Sequence, residues 1–166
     1  MDTAWWQVVG HTWAEDFSDL PDLAGATRIV TRLGIAALLG GAIGFEREWH
    51  GKDAGLRTHM LLAVGAALFT MVPQQAGYTT ADLSRVIQGL VAGIGFLGGG
   101  SILKLSQEHR IEGLTTAAGI WLTAAIGVAA GLGRELSAIA GTAIALVVTV
   151  ALAAVSARLD RRRGAG

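Results

Sequence analysis

The sequence predicts an all-α, polytopic membrane protein with five transmembrane helices and an N-terminal amphipathic helix lying in the membrane interface. Three observations carry that prediction. Five stretches of the 166-residue chain contain no Asp, Glu, Lys or Arg: 33–45, 58–81, 86–103, 113–133 and 136–157, of 13, 24, 18, 21 and 22 residues. Runs of about 18 or more apolar residues mark membrane-spanning helices, since a spanning segment must satisfy its backbone polar groups internally. The chain is 52% hydrophobic with 24 glycines, which suits helices that pack by close backbone approach. Finally, 13 Lys+Arg and 13 Asp+Glu cancel overall but are segregated along the chain. Zero net charge argues against a nucleic-acid partner, which calls for a basic surface. The hydrophobicity excludes disorder, and the absence of cysteine removes disulfides and thiolate metal sites.

Residues 1–27 form an external segment with five acids (Asp2, Glu15, Asp16, Asp19, Asp22) and no Lys or Arg. Trp6, Val9, Trp13, Phe17 and Leu20 recur at helical spacing, and tryptophan prefers the headgroup zone, so an interfacial helix is expected. No basic n-region precedes a long apolar run, so a signal peptide is a poor match. Ser18 and Pro21 mark a turn into a five-helix domain, residues 28–159, and a basic tail follows at 160–166. The expected spans are Ile29–Phe45, His59–Pro73, Val86–Leu105, Leu114–Leu132 and Leu136–Val155. Arg28 and Arg32, near the start of the first, are expected to snorkel to headgroups. Pro73 is expected to end the second.

Five spans put the termini on opposite sides. Arg47, Lys52, Arg57, Lys104, Arg110, Arg158, Arg161, Arg162 and Arg163 fall on one side, against Arg85 and Arg134 on the other. The positive-inside rule then places the N-terminus outside and the C-terminus in the cytoplasm. The Arg-rich tail reads as an anchor to anionic headgroups.

Three segments hold candidate functional residues. Glu46, Arg47, Gly55, Arg57 and Thr58 lie in the first cytoplasmic connection, where Glu46 is expected to pair with Arg57. Its carboxylates could also meet a hard cation such as Mg²⁺, but no ligand motif supports a metal or cofactor, and His50 and His59 are too isolated to argue for one. The connection has no nucleophile-and-base pattern, so an enzyme is not expected. Gly93, Gly95, Gly98, Gly99 and Gly100 crowd the third span, which is expected to be weakened and locally unwound. The GxGxxG pattern there lacks a preceding strand, so it does not signal a dinucleotide. Gly40–Gly44, Gly89–Gly93 and Gly127–Gly131 have GxxxG spacing, pointing to close packing within a bundle or across a homodimer. Thr115 and Thr116 at the start of the fourth span suit capping, interhelical bonds or an ion path.

Gly40-Gly41-Ala42-Ile43-Gly44-Phe45-Glu46-Arg47-Glu48 and Ala54-Gly55-Leu56-Arg57-Thr58-His59 together resemble the MgtC/SapB family of bacterial inner-membrane proteins. So do Gly93-Ile94-Gly95-Phe96-Leu97-Gly98-Gly99-Gly100 and Gly113-Leu114-Thr115-Thr116-Ala117-Ala118 with Trp121. The resemblance covers roughly residues 30–133, although Gly99 stands where the family more often has Ala. It implies a five-span hydrophobic domain, a link to magnesium limitation and, in some pathogens, survival inside host cells. The implied role is regulatory, non-enzymatic and exerted on other membrane proteins. An ion or solute channel is the alternative. Longer members carry a soluble domain after the fifth span, and functions that depend on it are not expected of residues 1–166. The lipid bilayer, a second copy and other membrane proteins are the expected partners.

Overall fold

Six helices and one short hairpin account for the residues that the computed structural model describes: 4–18, 22–105 and 110–163. The chain divides into two units, Met1–Thr31 and Arg32–Gly166.

In the first unit, α1 (Trp5–Asp16) buries none of its residues. Trp5, Trp6, Trp13 and Phe17 are all exposed, while Leu20 and Pro21 lie outside the described residues. Helix α2 (Leu23–Trp49) begins here, with the Asp22 carboxylate accepting a 2.7 Å bond from Gly25 N–H.

The second unit holds the rest of α2 and then α3 (Leu56–Gln75), α4 (Thr80–Gly100), the antiparallel pair β1 (Leu103–Leu105) and β2 (Arg110–Glu112), α5 (Leu114–Gly131) and α6 (Glu135–Arg163). Among the described residues, α2, α3, α4 and α5 are long and apolar enough to cross a membrane. The apolar part of α6, Glu135–Ala151, is shorter. Buried positions on α2 (Ala36, Gly40, Ile43, Gly44, Arg47) and on α3 (His59, Ala63, Ala66, Ala67, Thr70) recur at three- and four-residue steps. Each set is one helical face turned inward.

These faces are made of small residues because lipid supplies little hydrophobic drive to pair helices, so dispersion between close backbones must do it. Helices α3 and α5 meet most closely. A Cβ on Gly127 would run into the Ala63 carbonyl oxygen, and one on Gly131 into Thr70 Oγ1 and the Ala67 carbonyl oxygen. On the other flank of α3, a Cβ on Gly40 would stand 2.6 Å from the His59 carbonyl oxygen, and one on Gly44 2.7 Å from Leu56 Cα. Ala36, Ala63, Ala67, Ile126, Ala130, Ala138 and Ala145 form the core around this seam.

Helix α4 differs. Its buried residues are Ile94 and Gly98, and a Cβ on Gly89, Gly93, Gly95, Gly99 or Gly100 would meet nothing within 4 Å. Gly98 makes ordinary contact with Ala117, 3.5 Å from its carbonyl oxygen.

Three expectations are corrected. Helix α4 stays helical from Thr80 to Gly100, closed at its start by a Thr79–Asp82 capping box. Unwinding would strand backbone groups in an apolar setting at several kcal/mol each, against about 1 kcal/mol per glycine gained. It also stops short of Leu105: Ser101 N–H bonds the Leu97 and Gly98 carbonyls, and Leu103–Leu105 pairs as a strand. Pro73 lies inside α3, whose end comes two residues later, where Gly77 N–H meets the Gln74 carbonyl and Tyr78 N–H the Pro73 carbonyl. Arg32 has protein partners at its end of the bundle. Its Nη1 donates to Gln74 Oε1 (2.8 Å) and to the Gly131 carbonyl (2.9 Å), setting a cation at the C-terminal end of α5, where the helix dipole favours it. Gly133, with φ +72, makes room, since a Cβ there would meet the guanidinium.

This packing predicts a sharp contrast between glycines. Gly127→Ala should cost about 1–3 kcal/mol, the usual range for overpacking, whereas Gly93→Ala should be neutral or stabilising by up to about 1 kcal/mol. Thermal unfolding of the purified chain reads both, and equal destabilisation would contradict the seam.

Candidate functional site

One end of the second unit gathers the C-terminus of α2, the N-termini of α3 and α5, and the C-terminus of α4, and this is where most of the sequence-predicted site residues fall. Arg47 is 5% exposed. It sits at i+3 from Gly44 on the inward stripe of α2, so the helix period delivers a charge into the bundle. Its Nη2 donates to Thr115 Oγ1 and Thr116 Oγ1, both at 3.2 Å. Its Nε has no hydrogen-bond partner among the described residues.

Thr115 and Thr116 therefore bond across helices and do not cap α5. The N-cap is Gly113, in the left-handed region at φ +88, with no side-chain cap bond. Gly113 is required there twice over, because a Cβ would also strike the Ser101 carbonyl oxygen at the end of α4.

The expected Glu46–Arg57 pair does not form. Glu46 Oε1 lies 3.1 Å from His50 Nδ1, one turn along the same helix, and its Oε2 is buried without a partner. Arg57 is in the first turn of α3 and is exposed. The carboxylate that serves α3 is Glu48, whose Oε2 accepts from Leu56 N–H at 2.8 Å and so neutralises the positive end of the helix. Gly55 is what admits it: a Cβ there would be 2.5 Å from that oxygen.

His59 is fully buried, and its Nδ1 shares a 2.8 Å hydrogen bond with Thr123 Oγ1 of α5. Its Nε2 has no partner. His50 and His59 thus take separate partners, and no cluster of three His, Asp or Glu side chains suited to a metal occurs among the described residues.

Beside this polar cluster, α3, α4 and α5 enclose an open groove of about 790 Å³. Thr58, Ser101 and Thr116 line its polar end, with Asp53 beside them, and Gly100 and Phe96 contribute from α4. The structure thus unites Arg47, Thr115 and Thr116, brings Thr58 and Gly100 to the same groove, and leaves Gly93, Gly95 and Gly99 on the open face of α4.

Sequence reasoning missed Glu48, Thr123 and the weight of His59. The signal for His59 was present: it begins the Ala63, Ala67, Thr70 stripe of α3, and a histidine on such a stripe must find a polar partner.

Comparison with known proteins agrees with these motifs. The MgtC family model matches residues 33–158. Protein SrpB of Synechococcus elongatus is 46% identical over 127 residues, 70% of each chain. YhiD of Escherichia coli K12, whose name refers to a magnesium transporter, is 44% identical over 126 residues, covering 72% of this chain and 58% of YhiD. MgtC of Salmonella typhimurium LT2 is 41% identical over 128 residues, covering 76% of this chain and 53% of MgtC. This chain therefore spans between half and three fifths of the length of the last two. No solved structure gives a significant match.

The His59–Thr123 contact is testable alone. Thr123→Val keeps the side-chain shape and strands a buried imidazole nitrogen, so it should cost about 1–3 kcal/mol, while Thr123→Ser should recover most of the loss. Denaturation of the two variants side by side measures this, and a neutral valine would contradict the bond.

Proposed function

The chain belongs to the MgtC family, and from that premise we propose that it is a non-enzymatic, multi-pass protein of the bacterial inner membrane. It modulates magnesium and membrane homeostasis through helix contacts, with a second copy of itself and with other membrane proteins. In this reading α6 is the fifth span, α1 lies in the outer interface on its exposed tryptophans, and the basic connections face the cytoplasm.

The observation that carries the proposal is the contrast between α4 and the α3–α5 seam. Only 11% of the apolar window of α4 is buried, and Gly89 and Gly93 stand one turn apart with open space before them. An apolar groove of about 500 Å³ lined by Phe69, Gly89, Gly93 and Leu97 runs along that face. Small residues at four-residue spacing on a lipid-facing helix are the pattern that lets a second helix approach closely. Conduction through a single copy has less support. An ion path needs continuous polar lining, whereas Ala63, Ala66, Ala67, Gly127 and Ala130 separate the Arg47 end from the Arg32 end.

Two measurements test the reading. Purified chain in liposomes should give no Mg²⁺ flux above protein-free vesicles, and a sustained flux would favour the channel. Gly93→Leu should lower the dimeric fraction in mild detergent roughly tenfold, about 1.4 kcal/mol, without lowering the melting temperature. An unchanged dimeric fraction would remove the α4 face from the mechanism.

A further inference from the structure

The open face of α4 carries more than small residues. Asp82, Arg85, Gly89 and Gly93 follow one another at steps of three, four and four, so they share one side of the helix, and Gln88 borders it beside Gly89. Gln88 lies one turn inside the charge-free stretch 86–103 and is its only carboxamide. Its side chain is exposed at the edge of a largely apolar groove between α4 and Leu132, and it makes no hydrogen bond among the described residues. A carboxamide turned toward lipid has lost water as a partner, and a second helix is where membrane proteins recover that bond.

The charged pair one turn outward tells which helix that is. Arg85 Nη1 lies 3.0 Å from Asp82 Oδ1, with the two side chains 77% and 40% exposed. That bond uses one of the five N–H groups of the guanidinium, and the others are open to a second carboxylate. A cation, an anion and a carboxamide, which both donates and accepts, make a face complementary to itself. Two copies inserted in the same direction hold equal residue numbers at equal depth. A two-fold axis along the membrane normal therefore sets Gln88 opposite its own counterpart. It also leaves Arg85 and the other copy's Asp82 about 4.5 Å apart along the helix axis, within an arginine's reach. Gly89 and Gly93 leave room for the approach, since a Cβ on either meets nothing within 4 Å.

We propose that the α4 face selects a second copy of this chain in parallel orientation. Gln88 bonds reciprocally with Gln88 of the partner subunit, and Arg85 pairs with Asp82 of the partner subunit. The glycines admit a neighbouring helix, and these polar groups decide which neighbour it is. The inference rests on the reading of α4 as a helix-contact face and adds its partner, orientation and register.

The test is the dimeric fraction of the full-length chain in mild detergent, read by native mass spectrometry on co-expressed copies with different tags. Gln88→Leu should lower it roughly tenfold, as fits the loss of interhelical amide bonds, whereas Gln88→Asn, which keeps a carboxamide, should hold most of it. Arg85→Glu and Asp82→Lys should each lower it about threefold at low salt. Co-expressed, those two variants should form the mixed pair in preference to either homodimer, because only the mixed pair sets opposite charges together. Asp82→Lys also loses the bond to Thr79, so the mixed pair is compared with the Asp82→Lys homodimer, which bears the same loss. An undiminished dimer in Gln88→Leu, or an equal loss in Gln88→Asn, would overturn the amide contact. Random mixing of the two charge variants would overturn the cross pair. Gly93→Leu separates this inference from the reading beneath it. If Gly93→Leu dissociates the dimer and Gln88→Leu does not, the face stands and its polar selection is wrong. If neither does, or if the unmutated chain is monomeric, both fall.

Discussion

The approach of α3 to α5, backbone against backbone, is the constraint on which the rest of the structure depends. In lipid, two helices gain little by hiding apolar surface from each other, and what holds them is dispersion at short range. Gly127 and Gly131 let α5 touch the carbonyls of Ala63 and Ala67 directly, leaving no space between them for a side chain. Helix α2 repeats the device on the neighbouring flank of α3, with Gly40 and Gly44 against His59 and Leu56. Once these seams close, the interior is mainly alanine, glycine and isoleucine, so buried threonines such as Thr70 turn to carbonyls of their own helix and the buried charged and imidazole groups take partners on α5.

That consequence organises the chemistry. At one end, Arg32 settles on the last carbonyl of α5 and on Gln74 of α3, where the helix dipole favours a cation. At the other, Arg47 and His59 meet threonines of α5, with Glu48 serving the start of α3 from outside. The two arginines differ in an instructive way. Arg32 meets carbonyl acceptors that welcome its charge, whereas Arg47 meets hydroxyls at the end of a helix whose dipole opposes it. The seam also explains what it leaves out. With Ile94 and Gly98 as its buried residues, α4 leaves its remaining glycines with open space beside them.

Much of this was legible in the sequence, and the parts that were not share one cause. Charge-free stretches fall on each of the apolar helices α2 to α6, but the expected start at Val86 missed the first turn of α4, which the Thr79–Asp82 capping box closes at Thr80. The motif around Glu46, Arg47, Gly55, Thr115 and Thr116 was visible as a set of residue types. Pairing was not. Glu46 meets His50 and not Arg57, because a one-turn separation on a single helix needs no tertiary arrangement, whereas a bond to α3 depends on where α3 points. The same limit hid Thr123 as the partner of His59, since the two are 64 residues apart and linked only by the α3–α5 seam. The glycines were legible as helix-contact residues but not as two groups. Periodicity cannot tell a glycine closed off by a neighbouring helix, such as Gly127, from one with open space beside it, such as Gly93.

The central claim is that closing the α3–α5 seam leaves α4 as the face that meets another helix. The chain has no cysteine, so single cysteines can be placed along α4 without background. Oxidative cross-linking in native membranes should join two copies through cysteines at 89 and 93 and not through one at 94 or 98, whose residues are buried. A pattern with no four-residue period, or cross-links at 94 and 98 as strong as those at 89 and 93, would contradict the account.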